Sequence, residues 1–128
     1  MDLALTPIRA SRRLLAVLAS HNTTEFEAVL RSDALLQICS ENCRQTFLSR
    51  QEICQALLME AAAWFEPTIN IQGWDADADS ATVDFQIWVK ENGLVTRHDH
   101  SLTVTLSDSQ IEKIMLYRDQ ESIHEPIA

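Results

Sequence analysis

The sequence predicts an α+β domain, helical in its first half and stranded in its second. Apolar residues recur at helical spacing early in the chain and at alternate positions from residue 69 onward. Between two alternating runs sits Asn92-Gly93, a pair suited to a tight primed turn because both of its positions take positive φ. Helices followed by an antiparallel meander are the element order of an α+β domain rather than of alternating βαβ units.

Taken in order, residues 7–20 read as a helix. Ile8, Leu14, Leu15, Val17 and Leu18 supply an apolar stripe, and Pro7 is tolerated in the first turn, where its missing N–H has no partner to lose. His21-Asn22-Thr23-Thr24 breaks the chain, after which Asn22 with Glu25, or Thr24 with Glu27, can cap a short helix through Phe26, Val29 and Leu30. Asp33 to Ile38 reads as a short extended segment. Ser49 and Glu52 stand at capping-box spacing, with Leu48 and Ile53 at the spacing of a hydrophobic staple. The helix they open carries Ile53, Leu57, Ala61 and Trp64 on one face. It should end near Glu66, because Pro67 disfavours a helical residue before it.

The period then changes to two. Ile69 and Ile71 begin a strand, and Asp75–Ser80 is polar turn material. Val83, Phe85, Ile87 and Val89 alternate with Thr82, Asp84, Gln86 and Trp88. Beyond Asn92-Gly93, a strand alternates Thr96, His98, His100, Leu102, Val104 and Leu106 with a polar set. Ser107–Gln110 turns into a last strand, Ile111 to Asp119.

Composition narrows the function classes. The chain has 128 residues, 46% of them hydrophobic, with 19 acidic and 10 basic side chains and a formal charge of -9. A chain of this length reads as a single domain over residues 1–128, able to bury about two-thirds of its unfolded surface. Net acidity argues against nucleic acid, whose phosphates need Lys and Arg, and against anionic membranes. No apolar run approaches the roughly 20 residues of a membrane span. Basic residues follow the apolar stretch of MDLALTPIRASRR, the reverse of a signal peptide, so a cytoplasmic location is expected. The three cysteines, Cys39, Cys43 and Cys54, fit reduced thiols in the core better than a disulfide framework or a metal site. Asp75, Asp77 and Asp79 mimic the start of a calcium loop. The Gly and the bidentate Glu of such a loop are missing, so a solvated hairpin turn is the better reading.

Three segments carry a resemblance to a known group. They are Thr24-Glu25-Phe26-Glu27-Ala28-Val29-Leu30 with Asp33-Ala34, then Phe47-Leu48-Ser49-Arg50-Gln51-Glu52-Ile53, and finally Ile111-Glu112-Lys113-Ile114-Met115-Leu116-Tyr117-Arg118-Asp119. In their order they resemble the nuclear-transport-factor-2-like superfamily, and within it the SnoaL-like group, over roughly residues 8–120. Ser49 and Ser109 stand where that group usually has Gly. The resemblance implies a cone, in which a curved and mostly antiparallel sheet wraps three N-terminal helices and leaves a pocket at the open end. It also implies sheet-to-sheet dimers. Known activities of such proteins include steroid isomerases, polyketide cyclases, epoxide hydrolases and dehydratases, beside non-enzymatic binding and assembly domains, so fold alone does not settle function.

Candidate chemistry gathers on the strand of His98 and His100. Both share a face with Leu102, Val104 and Leu106, a pattern that suits a pocket with an apolar floor and a polar wall. If Leu106 lies opposite Ile111, an unbroken register sets His100 opposite Tyr117 and His98 opposite Asp119, an imidazole–carboxylate pair fit for acid–base work. A register shifted by one instead turns Ile114, Leu116 and Arg118 inward and sends Tyr117 and Asp119 to the other face. The expected catalytic residues are His98 and Asp119, with His100, Tyr117, Trp64 and Leu102 against the substrate. The steroid-isomerase pattern fits poorly, since Leu35-Leu36-Gln37-Ile38 lacks its general-base Asp and Leu14 falls near its tyrosine position. Tyr117-Arg118-Asp119 looks like the Trp-Arg-Asp of limonene-epoxide hydrolases, but their Arg-x-Asp partner has no counterpart beyond Thr82 and Asp84. The expected ligand is small and largely apolar, with no cofactor and no metal. Trp88, on the opposite face of its strand, is the expected centre of a homodimer interface. The alternative is a non-catalytic ligand-binding or assembly module.

Overall fold

The computed structural model describes residues 5–41, 43–62, 67–91 and 93–126, the side chains of Glu91 and of residues 119–126 excepted. Trp64, Asn92, the expected helix end near Glu66 and the side chain of Asp119 therefore lie outside the described residues. Helix α1 (Pro7–Ser20) starts where expected. Thr6 Oγ1 accepts from the Arg9 N–H at 3.2 Å, and His21 closes the helix in the left-handed region with its N–H on Val17 O. A single 3₁₀ turn (Glu27–Val29) stands for the second helix. Helix α2 (Arg50–Ala62) opens on the Ser49 cap: Ser49 Oγ accepts from the Glu52 N–H at 3.3 Å, and Glu52 reaches back to the Leu48 N–H at 3.0 Å. Leu48 stays 57% exposed, which leaves the expected staple little apolar surface to bury.

Six strands form one sheet: β1 (Leu30–Ser40), β2 (Cys43–Leu48), β3 (Thr68–Ala76), β4 (Ser80–Glu91), β5 (Leu94–Ser107) and β6 (Gln110–Pro126), in the order β2-β1-β6-β5-β4-β3. Only β1 against β6 is parallel. Strand β2 has no counterpart in the sequence reading. It is an edge strand with no buried residue, so no face of it needs apolar residues and no alternation betrays it. Asp77 shapes the β3–β4 turn: its Oδ1 accepts from the N–H groups of Asp79 and Ser80 and from Ser80 Oγ. The β5–β6 turn places Asp108 and Ser109 at φ 53° and 63°, the backbone of a two-residue primed hairpin built without glycine.

Helices α1 and α2 cover one face of the sheet. Leu14, Leu18, Ile53, Leu57 and Ala61 meet Val83, Phe85, Ile87, Leu102, Val104, Ile114 and Leu116 in one core. Cys39 and Cys54 are buried, but Cys43 is exposed on the edge strand, so the expectation of three core thiols fails there.

Candidate functional site

Strand register decides which side chains share the helix-covered face. Leu106 does pair with Ile111, as supposed, but Thr105 pairs with Lys113, so Glu112 is an extra residue in β6. From there the ladder runs Val104 with Ile114, Leu102 with Leu116, and His100 with Arg118. The unbroken register, with His100 opposite Tyr117 and His98 opposite Asp119, is therefore corrected. It would have turned Lys113 and Met115 inward, whereas the bulge buries Ile111, Ile114 and Leu116 completely. Further irregularity after His100 sets Ser122, not Asp119, opposite His98.

Successive rows across the sheet then grade from apolar to polar. Val83, Leu102 and Leu116 form one row, all with no exposed surface. The next row is Ile71, Phe85, His100 and Arg118, and the one after it holds Ile69, Ile87, His98 and Ser122. The face thus grades from apolar to polar along β5, in the direction that its alternation foreshadows. His100 is 7% exposed, its ring 5.6 Å from that of Phe85 and 6.4 Å, edge-on, from that of His98. His98 is half-buried. Leu102, expected against the substrate, is part of the closed core. Tyr117 is 41% exposed on the opposite face, its hydroxyl donating toward Met115 Sδ at 3.7 Å, and so does not join His100.

The structure adds a residue that the sequence reading missed. Glu60, in the last turns of α2, brings Oε1 to 3.4 Å from Arg118 Nε, with only 12% of its side chain exposed. Burial pushes the Glu60 carboxyl above the usual carboxylate range, and the Arg118 charge opposes the shift without cancelling it. A signal was present: Glu60 is three residues after Leu57 and four after Ala56, inside the buried stripe of α2. A carboxylate in that stripe has to meet either a cation or a proton. Glu60, Arg118, His98 and His100 thus bring an acid of raised pKa, a fixed cation and two imidazoles to one end of an apolar face. Such a set can move a proton and steady a developing negative charge. Among the described residues no cluster has the make-up of a metal site.

The outer face differs. Trp88, half-buried, lies under the Arg97 guanidinium at 5.8 Å from ring centroid to Cζ, and Arg97 also pairs with Asp99 at 3.2 Å. A cavity of about 450 Å³ is lined by Gln72, Asp84, Phe85, Gln86, Asp99, His100, Ser101, Tyr117 and Arg118. No described helix is long and apolar enough to cross a membrane.

No protein-family model and no curated relative matches the sequence. Solved structures do resemble the fold. An NTF2-like protein of unknown function from Mesorhizobium loti superposes with a TM-score of 0.70 at 14% identity, over 92% of this chain and 94% of its own. The epoxide hydrolase/cyclase-like enzyme SalBIII of pyran ring formation in the polyether salinomycin gives 0.69 at 12% identity, over 89% and 91%. An LEH-like epoxide hydrolase from M. tuberculosis gives 0.66 at 16% identity, over 88% and 82%. At such identities the likeness speaks for the backbone alone, and the backbone is that of the α+β nuclear-transport-factor-2-like fold with its curved sheet.

Proposed function

We propose that the chain binds a small, largely apolar molecule at the polar end of its helix-covered face and transforms it by acid–base chemistry, without a cofactor. The observation that carries this reading is the largely buried Glu60 beside Arg118, which in turn pairs with His100 across the sheet. A carboxyl whose pKa is raised by burial is better matched to general acid–base work than a solvated one. His98 is the proposed second proton carrier, and Asp119, in the stretch of β6 between the partners of His100 and His98, is the carboxylate proposed to assist at this end of the sheet; Arg118 holds an oxygen on which negative charge builds. Isomerisation, hydration of an epoxide and loss of water all need only these parts. An epoxide hydrolase/cyclase-like enzyme and an LEH-like epoxide hydrolase share this fold, which is in keeping with chemistry of this class. Self-association through the outer sheet face around Trp88, and residence in the reducing cytoplasm with three free thiols, belong to the same proposal.

The test is turnover. The protein is incubated with a panel of small aliphatic and cyclic epoxides, enones and β-hydroxycarbonyl compounds, and products are followed by mass spectrometry. Glu60→Gln, His98→Ala and Asp119→Asn should each reduce turnover of an accepted compound at least a hundredfold while circular dichroism stays that of the parent. Saturable binding with no turnover of any compound would favour the non-catalytic module. Unfolding of the His98 or Asp119 variant would give that residue a structural role instead.

A further inference from the structure

We propose that Arg118 receives the carboxylate of a small, otherwise apolar monocarboxylic acid, an inference that rests on the small-molecule reading above and names its ligand class. The geometry of the Arg118–Glu60 contact leads there. A structural Arg–carboxylate pair normally closes as a fork, with two parallel N–H···O bonds of about 2.7–2.9 Å. Here the contact stands at 3.4 Å between Nε and Oε1, and the Nε–H, although buried, makes no hydrogen bond. No other hydrogen bond or ion pair of Arg118 exists among the described residues. The planar fork therefore has donors to spare, and 38% of the side chain is exposed although Nε is covered.

Charge and shape then select the partner. A guanidinium keeps its charge at every physiological pH, and its fork matches a carboxylate bidentately. Glu60 does not neutralise it fully, because burial works against the ionised carboxyl. A neutral carbonyl would use one donor and leave the others unmatched. For the remainder of the ligand, Phe85 and His100 lie in the same row and line one cavity with Arg118, and Ile71, 42% exposed, stands at the far end of that row; Gln72, Asp84, Gln86, Asp99, Ser101 and Tyr117 line the same cavity. The chain's charge of -9 repels anions in general, so an anion that binds does so through this local cation.

Isothermal titration of the full chain with matched pairs, phenylacetate against phenylacetamide and hexanoate against hexanamide, tests the assignment. Each acid should bind at least tenfold tighter than its amide. The preference should vanish in Arg118→Gln, survive in reduced form in Arg118→Lys, which keeps the charge without the fork, and grow in Glu60→Gln, where the competing carboxyl is gone. Near-UV circular dichroism checks that each variant is folded, and the Lys and Glu60 variants keep the assignment open to refutation if Arg118→Gln is not. Equal affinity for acid and amide, or a preference that persists without Arg118, overturns the carboxylate site while leaving the small-molecule pocket standing. Absence of binding by all four probes also overturns it, and the acid–base reading is then judged on its own panel of neutral substrates.

Discussion

Replacing Glu60 with Gln separates two opposing effects on the same carboxyl. At 3.4 Å the attraction to Arg118 amounts to about 5 kcal/mol at an effective dielectric constant of 20. Taking a carboxylate out of water costs several kcal/mol. The raised pKa says that the cost wins, so ionised Glu60 is tolerated in the folded protein rather than sought by it. The sign follows from proton linkage. Below the ordinary glutamate value of 4.5 the carboxyl is protonated in both states and contributes nothing to the pH dependence. As pH rises above 4.5, the unfolded chain releases the proton while the folded protein holds it, so stability falls until pH passes the folded pKa. One group gives a slope of at most about 1.4 kcal/mol per pH unit. Gln keeps the shape and never ionises. Urea denaturation of both proteins from pH 4 to pH 8 should therefore show Glu60→Gln gaining on the parent through that window and levelling off above it. A difference that stays flat, or that turns against the variant as pH rises, would show that the Arg118 attraction outweighs burial, and would remove Glu60 as a poised acid.

Three further outcomes are expected. Ser109→Gly relieves a left-handed backbone at φ 63° at some cost in unfolded-state entropy, for a net gain of about 0.5 kcal/mol or about 2 °C in Tm by thermal melt; a lower Tm would refute the strain. Asp77→Ala removes the acceptor of three hydrogen bonds in the β3–β4 turn and should lower Tm. Those bonds hold the Asp77 carboxyl below its usual range, so the parent's advantage should be present at neutral pH and fade in acid as the carboxyl is protonated; an advantage that grows in acid would contradict it. Phe85→Ala empties a site that is 1% exposed beside His100, at a cost of about 3–5 kcal/mol by denaturant midpoint, and a loss below 1 kcal/mol would mean that the row is not packed as described.

Much of the fold was legible because its elements carry local signatures. The Ser49–Glu52 box, the Pro7 start and the alternation of β4 and β5 each act within a few residues, and each appears where the chain says it should. Strand β2 was illegible for the opposite reason, since an exposed edge leaves no hydrophobic pattern. The site was legible in part: the two histidines and the apolar floor lie along one strand, and a strand's faces follow from its period of two. Glu60 was hidden because a helix face states what it buries but not what it is buried against.

What the sequence by itself determined is the set of elements and the face each one buries. What only the tertiary structure decided is how those faces are brought into line. One extra residue, Glu112, moves Tyr117 out and Arg118 in, and either register satisfies the local hydrogen bonding of β6 equally well. The choice is made by the whole core, which covers Ile111, Ile114 and Leu116 only in the bulged register. The meeting of Glu60 with Arg118 follows from that choice, because a contact across 58 positions of chain exists only once the sheet and α2 are packed together.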